Sequence, residues 1–276
     1  MDIVRRDRSG SVFCYVWGMP LVIGIDSSTQ STKAELRDAV TGELLATGRA
    51  AHPPTTPPVS EQDPSSWWDA LVEAIGQLGA RRSEVAALAV AGQQHGLVLV
   101  DESGTVLRPA KLWNDTTSAP QAEWLTNELG ADWWADWAGV KPVAAITIAK
   151  LAWVGENEPH VIEQTAKVML PHDYLTWRLC GEHVTDRGDA SGTGWYDATS
   201  DVALRQPLEL ATNDGARWLE KIPRVLAPDA VAGPLLGSAA AALGLPDGVL
   251  VAPGTGDNMG AALGLGLAEG DVVISL

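Results

Sequence analysis

Leu21-Val22-Ile23-Gly24-Ile25-Asp26-Ser27-Ser28-Thr29-Gln30-Ser31-Thr32-Lys33 is the stretch on which the reading of the fold turns. A short apolar run that ends abruptly in a carboxylate and a series of hydroxyls predicts a buried strand over 21–25, a tight polar turn and a second strand over 32–37. The Thr41-Gly42 turn and residues 43–49 add a third strand, so the structured part of the chain opens as a β-meander. A carboxylate at a strand end can hold Mg²⁺, directly or through water, and small hydroxyl residues in a hairpin expose N–H and O–H donors to phosphate oxygens. The same residue types are favoured by any turn, so this stretch alone leaves both readings open.

Downstream, His52 to Pro64 carries Pro53, Pro54, Pro57, Pro58 and Pro64 and excludes a regular element. Ser65 and Ser66 then precede Trp67, Trp68, Leu71, Ala74, Ile75 and Leu78 at helical spacing, which predicts an amphipathic helix with a serine N-cap. Residues 86–91 read as a short apolar strand, and 96–100 with 106–110 as strands around the turn Asp101-Glu102-Ser103-Gly104. Helical patterns follow at 118–129, 131–138, 147–156 and 172–180. Strands first, then strand and helix in alternation, predict an α/β layered domain. Upstream, Arg5, Arg6 and Arg8 precede an apolar stretch from Val12 to Ile25, but that stretch runs into Asp26 without a small-residue cleavage site. Residues 1–18 are therefore expected to be a non-structural extension rather than a secretory signal, with Met19 directly before the first strand.

The 276 residues suggest about two domains at roughly 150 residues each, and 46% apolar with 20% charged residues excludes disorder as the main state. A Pro/Gly/Ala-rich passage from Gly233 onward leads to a strand over 249–252, a Gly-rich turn, a small-residue helix and a strand over 271–276. The expected division is a first domain over 19–232 and the start of a second over 233–276. A formal charge of −16 disfavours nucleic-acid and anionic-membrane partners, because it repels phosphate backbones. No window is long and apolar enough to predict a membrane-spanning helix. Cys14 and Cys180 lie far apart outside any CxxC or Cys/His cluster, so neither a disulfide framework nor zinc is expected, and a reducing cytoplasm is the simplest location.

The absence of GxxxxGK[ST], HExxH and GxSxG argues against a P-loop NTPase, a zincin and an α/β-hydrolase. Gly254-Thr255-Gly256-Asp257-Asn258-Met259-Gly260 sets an aspartate at a strand–helix junction, where it suits a general base; an N-cap is the competing reading. Gln93-Gln94-His95 after one strand and Leu112-Trp113-Asn114-Asp115 further on supply amides, an imidazole and a carboxylate, the groups that hydrogen-bond sugar hydroxyls. The Asp186–Gly194 segment reads as a connection, and Trp133, Trp134 and Trp137 as core filling. His172-Asp173-Tyr174 after Pro171 reads as a helix start rather than a catalytic dyad.

Taken together, IGIDSSTQSTK at 23–33, EQDPSSWW at 61–68, AGQQHGLVLVD at 91–101, LWND at 112–115, HDYLTWRLCGEHVTDRGDASGT at 172–193 and GTGDNMGAALG at 254–264 resemble the FGGY carbohydrate kinases. GQQHG with LWND resembles the branch of that family that phosphorylates xylulose more than the branch that phosphorylates glycerol. The resemblance implies an α/β, actin-like (ribonuclease H-like) ATPase domain fold, with ATP and sugar in a cleft between two domains. It further implies transfer of the γ-phosphoryl group of ATP to the C5 hydroxyl of D-xylulose. Carried over residue by residue, Asp257 would accept the proton and Asp26 would support Mg²⁺ at the phosphate end. Thr29, Gln30, Ser31, Thr32 and Lys33 would form the phosphate hairpin, and Gln94, His95, Asn258, Asn114 and Asp115 would hold the sugar. Two departures bear on the sugar contacts: Thr117 stands where the family often has arginine after LWND, and Gln94 where some members have methionine. Family members also continue past a strand such as VVISL into further phosphate and adenine sites. The resemblance thus implies a fragment that lacks most of its second domain and is inactive in isolation. The expected partners are D-xylulose and ATP, with a second copy or a missing C-terminal half as protein partner. A sugar-binding stub or half of a split kinase, and a kinase for another ketose or polyol, are the competing readings.

Overall fold

The computed structural model describes residues 20–268 and 270–274, together with the backbone of Arg5–Arg6 and Val12–Phe13, which pair antiparallel. The rest of the extension expected over 1–18, Cys14 included, lies outside the described residues. Strand β1 (Leu21–Ser27) alternates buried Leu21, Ile23, Ile25 and Ser27 with more open neighbours, the period of a strand with one face in a core. It continues antiparallel into β2 (Ser31–Asp38) and β3 (Leu44–Ala51), as the meander predicts. β4 (Val85–Gly92) lies parallel beside β1. β5 (Gly233–Pro234), β6 (Leu250–Val251) and β7 (Thr255–Gly256) complete a seven-stranded sheet of order β5-β6-β4-β1-β2-β3, with β7 also beside β4. In register, Asp26 faces Ala91 and Ala91 faces Thr255; one step on, Ser27, Gly92 and Gly256 are aligned. The carboxyl ends of β1, β4 and β7 are therefore level, and a crevice outside such strand ends is where open α/β sheets bind ligands.

The helices relevant to the site are α1 (Pro64–Gly76), α2 (Ala119–Leu129), α3 (Thr147–Asn157), α4 (Pro171–Cys180), α5 (Arg187–Ala190), α6 (Arg205–Thr212), α7 (Gly237–Leu243) and α8 (Asp257–Gly264). α1 begins two residues earlier than a Ser65 cap predicts: Asp63 is the N-cap, accepting from Ser65 N at 2.9 Å, because Pro64 needs no hydrogen-bond partner in a first turn. Its buried Trp67, Leu71, Ala74 and Ile75 join Tyr174, Leu175 and Leu179 of α4 and Ala239, Ala240 and Leu243 of α7 in one core with the sheet. A second core gathers Leu125 of α2, Ile148, Leu151 and Val154 of α3 and Leu208 of α6 around Trp134 and Trp218. The strand Val98–Val100 runs between the two: Val98 and Val100 belong to the first core, Leu97 and Leu99 to the second. Burial of each large apolar side chain contributes about 1.5–3 kcal/mol, so the two cores fix this frame firmly.

Several sequence expectations change. Residues 233–256 are continuous with the sheet and with the first core, so the boundary expected at 232/233 falls inside one packed unit. The strand expected over 106–110 shrinks to a bridge from Val106 to Val100 and the pair Ala110–Lys111, since Pro109 lacks the N–H a ladder needs. The helix expected over 131–138 passes from an α-helical turn at Ala131–Trp133 into a π-helical turn at Trp134–Ala138. Trp134 is fully buried, Trp133 packs at the core edge, and Trp137 is 53% exposed and fills no core. Asp271–Ile274 form no strand, because among the described residues they have no strand to pair with; Ser275 and Leu276 lie outside those residues. Among the described residues no helix is long and apolar enough to cross a membrane.

Candidate active site

Asp26 leaves the end of β1 with its carboxylate half-exposed and 3.2 Å from Lys33 Nζ across the hairpin. The hairpin hydroxyls are placed differently from the expectation. Ser31 and Thr32 are buried: Ser31 Oγ accepts from Arg49 Nε at 3.2 Å, and Thr32 Oγ1 donates to Ser27 Oγ at 3.3 Å and meets His52 Nε2 at 2.8 Å. Thr29 Oγ1 accepts from Trp113 Nε1 at 2.8 Å. These three hydroxyls hold the hairpin's shape, while Gln30, Lys33 and the Asp26 carboxylate face outward.

Asp257 is the first residue of α8, and Gly256, not Asp257, is its N-cap. Its Oδ1 accepts from Asn258 N at 2.8 Å. Burial raises its pKa above the usual carboxylate value, and the nearby charges of Asp26 and Asp189 push the same way against the Asn258 N–H. Asn258 Nδ2 donates to Gln94 Oε1 at 2.8 Å, and Gln94 Nε2 donates to Asp189 Oδ1 at 3.3 Å. A hydrogen-bonded row therefore runs from α8 through the loop after β4 to α5. His95, next to Gln94, has a left-handed backbone with φ 62°. Its ring lies against Gly192, where a Cβ would stand 2.5 Å from Cε1 and displace the ring. Burial depresses the His95 pKa, and a neutral imidazole offers both a donor and an acceptor to a hydroxyl-rich ligand. Five expected residues, Asp26, Gln94, His95, Asp257 and Asn258, thus gather at the strand ends.

Asp115 does not join them. It is fully buried and accepts from Ser60 N at 2.9 Å, Thr117 N at 3.0 Å, Thr117 Oγ1 at 2.5 Å and Lys111 Nζ at 3.3 Å. Burial opposes its ionisation, but these donors outweigh burial and hold its pKa below the usual value. Fully buried among these donors, it ties the LWND loop into the core away from the strand ends. The Asn114 Oδ1 next to it is buried without a protein partner. Beneath them, Lys150 Nζ donates to the carbonyls of Ala144 and Ala145, and complete burial pushes its pKa down to about 7.

The site also contains groups that the sequence reading passed over. Asp186 caps α5 by accepting from Gly188 N at 2.9 Å and Asp189 N at 3.1 Å, and Thr255 Oγ1 donates to it at 2.9 Å. His172 Nε2 stands 3.3 Å from Asp173, 3.4 Å from Asp186 and 3.2 Å from Asp189, all within the fold. The available signal was the pair Asp186 and Asp189, three apart at the mouth of a short helix, which is cap spacing. Gly254, at φ +80°, turns the chain from β6 to β7, and a Cβ there would lie 2.5 Å from Val90 O.

A sheet whose parallel strands end level at two facing carboxylates, with helices packed upon it, has the α/β arrangement of the actin-like, ribonuclease H-like fold. The family described as the FGGY family of carbohydrate kinases, N-terminal domain, matches residues 21–264. Xylulose kinases of Streptomyces rubiginosus and Streptomyces coelicolor are 49% and 50% identical over 258 and 260 residues, in each case 93% of this chain and 52% of the relative. The crystal structure of xylulose kinase from Bifidobacterium adolescentis superposes with a TM-score of 0.83 at 44% identity, covering 94% of this chain and 57% of that one. This chain belongs to the FGGY family of carbohydrate kinases, and it spans about half the length of the curated relatives it matches.

Proposed function

We propose that this chain supplies the sugar site and the proton acceptor of an ATP-dependent kinase that converts D-xylulose to D-xylulose 5-phosphate. The observation that carries the reading is Asp257: its proton affinity is raised, it is the first residue of α8, and it neighbours Asp26 and the Asn258–Gln94–Asp189 row. As the C5 oxygen forms its bond to the γ-phosphorus and the bond to the ADP oxygen breaks, Asp257 takes the hydroxyl proton and later releases it to water. Gln94, His95 and Asn258 hold the sugar hydroxyls, so the reaction gains from positioning more than from covalent chemistry. Gln30 and Lys33 on the open side of the hairpin face the phosphates. Asp26, half-exposed at the end of β1, would be the residue to hold Mg²⁺, an ion commonly held by one or two carboxylates together with phosphate oxygens and water. Held at Asp26, it would neutralise charge on the transferring phosphoryl group. Support for xylulose over another ketose or polyol comes from the GQQHG and LWND stretches and from the xylulose kinases that are 49% and 50% identical.

Isothermal titration of D-xylulose into the chain, with glycerol and D-ribulose as comparators, tests the sugar site. The expected result is preferential binding of D-xylulose that Gln94→Ala weakens; no preference for the ketopentose overturns the substrate. ADP release with ATP and Mg²⁺, measured on a kinase of the relatives' full length that carries this chain, tests the transfer: turnover retained in Asp257→Ala overturns the assigned acceptor, and sugar binding without any transfer favours a binding role alone.

A further inference from the structure

The reaction above makes no direct use of His172, yet this side chain is fully buried among three carboxylates. Each carboxylate has a second task. Asp173 Oδ2 accepts from Leu170 N at 2.8 Å at the start of α4, Asp186 caps α5 and receives the Thr255 hydroxyl, and Asp189 receives the Gln94 amide. The residue is wedged under the strand ends: a Cβ on Gly92 would come within 3.0 Å of its Cβ, and one on Gly254 within 3.0 Å of its Nδ1. The groups facing it are Asp173 on its own helix, Asp186 and Asp189 from the segment entering and forming α5, and Gly254 from the turn before β7. Burial alone would depress its pKa, but the three carboxylates outweigh burial and hold it well above the ordinary histidine value.

We propose that His172 is a positioning residue for the sugar pocket: its Nε2 lies 3.2 Å from the Asp189 oxygen that has no hydrogen-bond partner, its N–H turns to that oxygen to hold Asp189, Asp189 holds the Gln94 amide, and Gln94 orients Asn258 beside Asp257. The Gln94 amide has two distinct ends, and this chain fixes which one each neighbour meets, Nε2 toward Asp189 and Oε1 toward Asn258. A pocket whose polar groups are preset in this way loses less side-chain freedom when a polyhydroxyl ligand arrives. The effect on affinity rests on the sugar-kinase reading; the Asp189–Gln94–Asn258 hydrogen bonds do not.

Two measurements on the full chain test the proposal. In the unsubstituted protein, long-range ¹H–¹⁵N spectra of the His172 ring are expected to show Nε2 protonated between about pH 6 and pH 8. An unprotonated Nε2 at neutral pH overturns the proposal. The second measurement compares His172→Gln, which keeps an N–H donor, with His172→Phe, which keeps a ring and no donor. His172→Phe is expected to weaken D-xylulose binding about tenfold, with His172→Gln closer to wild type, and the Phe effect is expected to vanish in a Gln94→Ala background. Equal weakening by both variants, or full additivity with Gln94→Ala, makes His172 a packing residue and overturns the proposal. If His172→Phe does not fold, the ring spectrum and His172→Gln decide. If the wild type binds no ketose, the sugar reading fails, and the Gln94 side-chain amide resonance decides the positioning role: it is expected to shift more in His172→Phe than in His172→Gln, and equal shifts or an unchanged resonance overturn it.

Discussion

In the loop at 112–118 the Asp115 carboxylate is enclosed by Ser60, Thr117 and Lys111, whereas in the segment at 186–194 the equally inaccessible Asp189 keeps one oxygen on Gln94 and so acts at the cleft. Burial does not separate the two, since both are fully buried. The identity of the partners does. Asp115 is satisfied by backbone donors and a buried ammonium, the arrangement of a group that fastens a loop. Asp189 takes a cleft amide on one oxygen and has the other 3.2 Å from a buried histidine, the arrangement of a group that transmits order to a binding surface. The electrostatics differ as well: Asp115 lies over Lys150, a cation that burial disfavours, and Asp189 over His172, a cation that its neighbours favour.

The strongest way to sharpen this contrast is to remove the carboxylate assigned to chemistry. In a kinase of the relatives' full length that carries this chain, Asp257→Ala is expected to lower phosphorylation of D-xylulose by about 10²–10⁴-fold, while Asp115→Ala leaves turnover per folded molecule unchanged. In the same assay the acid limb of the pH–rate profile is expected above the ordinary aspartate value of 3.8, because Asp257 must be ionised to act and its pKa is raised. A second contrast is between stability and affinity. Asp115→Ala leaves the buried Lys111 with one partner fewer and is expected to cost about 3 kcal/mol in urea unfolding with little change in sugar affinity. Asp189→Asn is expected to show the reverse balance, about tenfold weaker sugar binding and a smaller loss of stability. Proportional losses of both quantities in both variants would erase the distinction.

The smallest effects are in the pH dependence of unfolding, and they have opposite signs. Lys150 has a folded pKa of about 7 against 10.5 unfolded, so its stabilising contribution is full above 10.5 and is lost as pH falls through about 7. Lys150→Met is expected to flatten the denaturation midpoint across that window. His172 has a folded pKa above its unfolded 6.5, so its contribution is full below 6.5 and is lost as pH rises through the folded value. His172→Gln is expected to remove that alkaline loss, as read from the same midpoints.

Much of the frame was legible because it follows from local pattern. The β1–β3 meander, the parallel β4 and the helices at 64–76, 119–129, 147–157 and 171–180 are written in periodicity and turn chemistry. The gathering of Asp26, Gln94, His95, Asp257 and Asn258 was legible because each lies at or just beyond the end of a short apolar strand. Whether a hydroxyl or a carboxylate is already taken depends on distant residues, and this was not legible. Thr32 is claimed by His52, Thr29 by Trp113 and Asp115 by Ser60 and Lys111, and the sequence gives no local sign of these pairings. Asp189 and His172 were missed for the converse reason: their importance comes from partners brought together by α4, α5 and the β6–β7 turn. The boundary expected at 232/233 followed Pro and Gly content, which marks turns well but does not reveal that β5 and β6 extend an existing sheet.

The most direct test of this account is a crystal structure of the chain with D-xylulose. The account predicts the sugar at the strand ends, with a hydroxyl within hydrogen-bond reach of Asp257 and with Gln94, His95 and Asn258 around it. A sugar bound against the LWND loop, or a cleft in which Asp257 meets no hydroxyl of the bound ketose, would contradict it.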